Sequence, residues 1–195
     1  MLFRSLLFCF AQFEAALIAL ADLPENADAG SLRRACYLGL ARWAIETGDL
    51  GRAEWASEQY LREDDGSYQS LATRGEVASL QGDDVTALEF FNRALAVLPR
   101  EYNATTELTL EVNRLVYLRV AALVRLRRSE EAFDQWRSAV QRTTDNADLW
   151  YLGAFCLVQL GRSSEGLPLL ERALLIDPRH IDAGKLKRHL EPERT

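Results

Sequence analysis

Residues Ala147 to His180, ADLWYLGAFCLVQLGRSSEGLPLLERALLIDPRH, recur in worn form along this chain at a spacing of 34 residues. The stretch reads as two amphipathic helices joined at Gly161 and closed by Asp177-Pro178. A helix pair of this size cannot bury its apolar face alone, so each copy must stack on a neighbour. That requirement restricts the chain to an all-α architecture.

Four copies follow from this register: 34–67, 68–101, 113–146 and 147–180. In the first, Tyr37 stands where Trp150 stands, Gly48 makes the turn, and Ser57 and Tyr60 occupy positions that call for a large and a small residue. The second carries Leu71, Gly75, Gly82, Ala87, Phe91, Ala94 and Pro99, with Arg74 out of pattern and Asp83 poised to cap. Tyr102 to Val112 is an insertion, and the third copy's first helix should therefore begin near Glu107 and run unusually far, to Leu126. There Arg127 replaces the turn glycine, so a different turn is expected, and Thr144 replaces the proline. Pro168 falls inside the last copy's second helix. Residues 1–33 read as a helix over 2–20, a half repeat, followed by a loop from Pro24 to Gly30. Residues 181–195 read as a basic amphipathic capping helix, Ile181 to Leu190, with a tail.

These residues resemble the tetratricopeptide repeat (TPR) family. The resemblance implies a right-handed α-solenoid of helix–turn–helix repeats whose first helices line a concave groove for a peptide segment of a partner protein. Carried over position by position, the groove residues are Arg42 in the first copy and Gln69, Ala72 and Glu76 in the second. Arg114, Tyr117 and Ala121 follow in the third, and Asp148, Tyr151 and Phe155 in the fourth. The lysine and asparagine pattern with which some members clamp a C-terminal carboxylate is missing. The resulting surface is polar at one end and aromatic at the other, and aromatic side chains are common interface anchors.

Other functions find little support. A net charge of −6 argues against bulk attraction to nucleic acid or an anionic membrane, although Arg125, Arg127 and Arg128 cluster at one turn. Cys9, Cys36 and Cys156 are too scattered for a disulfide framework or a zinc site and read as buried thiols. No phosphate-binding glycine loop is present, and the carboxylate pairs 64–65, 83–84 and 130–131 fall where helices need caps. Hence no enzyme, cofactor or metal is expected. Trp43, Trp136 and Trp150 read as core and Trp55 as partly exposed.

Met1 to Ala11 is apolar apart from Arg4, and Ala19-Leu20-Ala21 looks like an export cleavage site, but Gln12 and Glu14 break the apolar run. A cytoplasmic protein with no membrane span is the expectation, export being the alternative if 1–21 is a signal peptide. Two further alternatives to the peptide groove are self-assembly through Phe10, Phe13 and Leu17, and service as a regulatory domain of a larger protein.

Overall fold

A computed structural model describes residues 12–20, 27–64, 66–98, 106–141 and 145–191. The chain divides into two compact units, Met1–Arg100 and Glu101–Thr195. Among the described residues all regular structure is helical.

The first unit holds α1 (12–20), α2 (Ala27–Thr47), α3 (Leu50–Glu63), α4 (Tyr68–Leu80) and α5 (Asp84–Val97). Helices α2 and α3 pair, α4 and α5 pair, and α4 packs on both members of the first pair. The helix α2 starts at Ala27, so residues 27–30, read above as loop, are helical. Two alanines and Asp28 in the first turn favour that start over the turn propensity of Gly30.

The first copy does not degrade where its pattern fails. Ser57 is fully buried and Tyr60 is 5% exposed, while the second copy buries Phe91 and Ala94 at the corresponding positions. Large and small have exchanged places, which keeps the volume between neighbouring helices filled. Arg74, the other misfit, is functional in packing: it reaches from α4 to Glu54 at 3.3 Å and Glu58 at 3.8 Å on α3. Residues 2–11 of the helix expected over 2–20 lie outside the described residues, Phe10 and Cys9 included. Its Phe13 and Leu17 pack on Leu40 and Ala41 of α2 and Ala56 of α3.

The second unit holds α6 (Thr106–Arg125), α7 (Ser129–Val140), α8 (Ala147–Gln159), α9 (Ser163–Ile176) and α10 (Ile181–Leu190). The first helix of this unit is long, as expected from the insertion, and α10 packs on α9 through Leu186 and Leu190. Helix α9 continues through Pro168 to Ile176. Thr144 lies outside the described residues.

All four hairpins close with one backbone device. The N–H two or three residues past the helix end returns to the carbonyl five residues back, at 2.8–2.9 Å: Asp49 to Ala44, Asp83 to Ala78, Arg128 to Leu123 and Arg162 to Leu157. This closure needs a left-handed residue, supplied by Gly48, Gly82 and Gly161 with φ of 75°, 83° and 74°. Arg127 adopts the same conformation at φ 59° despite its Cβ. The turn expected to differ is therefore the same turn, held by the flanking helices against the residue's preference. Asp83 caps α5 as anticipated, accepting the Thr86 N–H at 3.1 Å, and bonding to Thr86 holds its carboxyl below the ordinary range.

Candidate functional site

The long helix α6 lies beside α8 in the second unit, and α10 packs on α9. Asp148, Tyr151 and Phe155 are spaced to share one face of α8. The Tyr151 and Phe155 rings are 6.0 Å apart, and the imidazole of His180 sits 5.2 Å from the Tyr151 ring. His180 caps α10: its Nδ1 accepts the Ala183 N–H at 3.2 Å, and its Nε2 stands 3.0 Å from Asp148 Oδ1. An accepting Nδ1 carries no proton, so in the capping state the proton is on Nε2, which lies close to that carboxylate without making a hydrogen bond to it.

Tyr117 on α6 belongs to the same neighbourhood. Burial pushes its phenol up, and the charges of Asp148 and Asp182 add to the shift while Arg125 opposes it. Tyr151 is raised by burial, then by Asp182 and by Tyr117 itself. Three of the anticipated residues, Tyr117, Asp148 and Tyr151, thus come together, with Phe155 against Tyr151. Arg114 sits one turn before Tyr117 and pairs with Glu111 at 3.3 Å, and Ala121 is buried.

His180 and Asp182 were missed as site residues. The signal existed: one further 34-residue step carries Asp148 onto Asp182, Tyr151 onto Lys185 and Phe155 onto His189. Helix α10 thus starts, at Ile181, where that step would start a further first helix.

In the first unit Arg42 lies on α2 and Gln69, Ala72 and Glu76 on α4, two helices in contact. Arg42 is exposed, Gln69 and Glu76 are half-buried, and Ala72 is 2% exposed. Ala72 therefore presents no side chain to a ligand. Trp43 and Trp136 are buried and Trp55 is 48% exposed, edge-on to Tyr37 at 5.8 Å. Cys36 and Cys156 are buried free thiols, and burial raises the latter to about 12. Among the described residues no helix is long and apolar enough to cross a membrane, and no three His, Cys, Asp or Glu side chains converge on a metal position.

No family model matches the chain. Over 151 residues, 73% of the chain, it is 28% identical to a DnaJ homolog subfamily C member 7 homolog of Schizosaccharomyces pombe, and it spans 31% of that protein's length. Among solved structures it superposes on YrrB, a TPR protein with an unusual peptide-binding site. That match has a TM-score of 0.61 and 20% identity, and it covers 80% of this chain and 74% of that one. Cut9, in the APC/C hetero-tetramer Cut9-Hcn1, matches at TM-score 0.74 and 18% identity, over 93% of this chain and 34% of that one. The chain has the tetratricopeptide-repeat fold.

In TPR terms Tyr117 and Tyr151 occupy one repeat position on successive first helices, and Arg114, Asp148 and Asp182 another. The repeat thereby sets like positions in rows across α6, α8 and α10.

Proposed function

We propose that this TPR chain is a protein-interaction module, not an enzyme, and that a peptide segment of a partner docks on the α6–α8–α10 face. The observation that carries this reading is the half-buried aromatic row Tyr117, Tyr151 and Phe155, with His180 against it. Aromatic side chains ordered by packing contribute contact area at little entropic expense, which is why they anchor interfaces. Neither tyrosine hydroxyl has a hydrogen-bond partner among the described residues, leaving both to donate to a peptide carbonyl. In this reading the copies 113–146 and 147–180 carry the recognition face, while the copies 34–67 and 68–101, with Arg42, Gln69 and Glu76, belong to the other unit. Binding by YrrB at its peptide site is an analogy from fold, and the ligands there are its own.

Self-association through α1 is less well supported. Phe13 and Leu17 are already engaged with Leu40, Ala41 and Ala56, so a second copy would have to compete with their own chain for them. Service as a regulatory domain is consistent with the chain's matching less than a third of the yeast protein.

The test is selection of binders from a library of short random peptides displayed against the full chain. The best binder is then titrated against wild type and against Tyr117→Ala/Tyr151→Ala/Phe155→Ala. Loss of binding with the helical circular dichroism retained supports the face, and equal affinity for both proteins eliminates it.

A further inference from the structure

We propose that His180 is a proton-operated latch at the start of α10: neutral, it caps the helix, and protonated, it releases that cap and turns to Asp148. The residue stands in the turn between α9 and α10 with 9% of its side chain exposed, its backbone N–H bonded to the Asp177 carbonyl at 3.1 Å. Its Nδ1 accepts the Ala183 N–H at 3.2 Å, and its Nε2 lies 3.0 Å from Asp148 Oδ1 without a hydrogen bond.

The latch follows from the lone pairs of a neutral imidazole. With Nε2 holding the ring proton, Nδ1 is the only basic nitrogen, and the Ala183 N–H already occupies its lone pair. A proton taken up by the ring must therefore arrive at the capping atom. Once there, it sets two donors against each other and places a positive charge at a helix N-terminus, where the helix dipole disfavours it. Asp148 offers the alternative. Its carboxylate is 63% exposed and already beside the ring, so a small rotation turns a close approach into a charge-assisted hydrogen bond.

The other charged groups around the ring have different engagements. In the turn after α9, Asp177 accepts the Arg179 N–H at 2.9 Å and Arg179 itself is exposed, while on α10 Asp182 pairs with Lys185 at 3.8 Å. On α8 the remaining titratable neighbour is Tyr151, its ring 5.2 Å from the imidazole, and α6, which packs on α8, carries Tyr117. Burial raises both phenols, so neither changes charge in the range where an imidazole does. A turned ring changes what Tyr151 faces, and the latch thereby couples proton uptake to the edge of the aromatic row.

The experiment is a heteronuclear NMR titration of the full chain from about pH 8 to about pH 5. At the alkaline end the ring of His180 should show a bare Nδ1 and a protonated Nε2. As it gains its proton, the Ala183 amide should shift with the same midpoint. Hydrogen-exchange protection of that amide, corrected for intrinsic rate, should fall about fivefold, the worth of one N-cap. The Tyr151 ring resonances should move in step. His189, exposed farther along α10, is the internal control, and its titration should leave Ala183 unmoved. His180→Asn, which caps without titrating, should keep Ala183 protected at both ends of the range. Asp148→Asn should lower the His180 midpoint, because the carboxylate that receives the charge is gone. A protonated Nδ1 at the alkaline end, equal protection of Ala183 at both ends in the wild type, or a midpoint indifferent to Asp148→Asn would each overturn the latch. Every readout is on the free chain, so the outcome is independent of whether a peptide docks.

Discussion

The indole of Trp136 on α7 lies directly against Gly153 on α8, where a Cβ would collide with Cε2, Nε1 and Cδ2 of the ring. The same indole stacks on Phe133 at 5.1 Å and meets Trp150 edge-on at 5.9 Å. The repeat position of Gly153 is held by Leu40, Arg74 and Arg119 in the other copies. Gly153→Ala must therefore displace a buried ring, and it should destabilise the protein by roughly 1–3 kcal/mol. A thermal melt should show a drop of about 3 °C for each kcal/mol lost in a chain of this size. An unchanged melting temperature would mean the ring is free to move.

Arg127 holds a left-handed backbone that glycine adopts freely. Arg127→Gly should stabilise the chain by up to about 1 kcal/mol, the conformational relief outweighing glycine's greater freedom when unfolded. Gly82→Ala, at φ 83°, should do the opposite by about 1 kcal/mol. Urea midpoints of the two variants should move in opposite directions.

Arg74 joins α4 to α3 with only 15% of its side chain exposed, and its stem packs as well as its charge pairs. Arg74→Ala should cost about 1–2 kcal/mol, whereas Arg74→Met, which keeps the stem, should be nearly neutral. Equal losses in both variants would assign the stabilisation to the ion pairs with Glu54 and Glu58.

Burial raises the Cys156 thiol to about 12, far above its unfolded value. The folded state therefore retains a proton that the unfolded state releases, so stability is fully present at neutral pH and falls as pH rises from about 9 toward 12. Cys156→Ala should make that alkaline decline less steep. At mildly alkaline pH, iodoacetamide should leave the peptide containing Cys156 unmodified in the native protein and alkylate it in urea.

How much of this was legible in the chain depends on where the information resides. Gly82 with Asp83, and Gly161, announce their turns because residue type and backbone conformation agree there. The insertion from Tyr102 to Val112 placed the start of α6 within a residue of where it lies. Arg127 gave no such notice: its conformation is imposed by the helices on either side, a tertiary effect with no local trace. Pro24 to Gly30 read as a break because Pro24, Asn26, Asp28 and Gly30 cluster there, but from Ala27 on helix packing overrode that propensity and buried Ala29. The exchange of Ser57 and Tyr60 looked like decay because each position was judged singly, whereas the core responds to their summed volume. For the candidate site, the family's groove positions carried over copy by copy named Tyr117, Asp148, Tyr151 and Phe155 among the candidates. His180 and Asp182 escaped because α10 was read as a cap and the register was not carried one step further.

The most direct measurement is an amide chemical-shift map of the full chain titrated with its best selected peptide. Docking on the second unit's face predicts perturbations centred on Tyr117, Tyr151, Phe155 and His180, absent when the two tyrosines and Phe155 are replaced by alanine. Perturbations centred on α3, α5 or α7, or a map unaffected by those replacements, would contradict it.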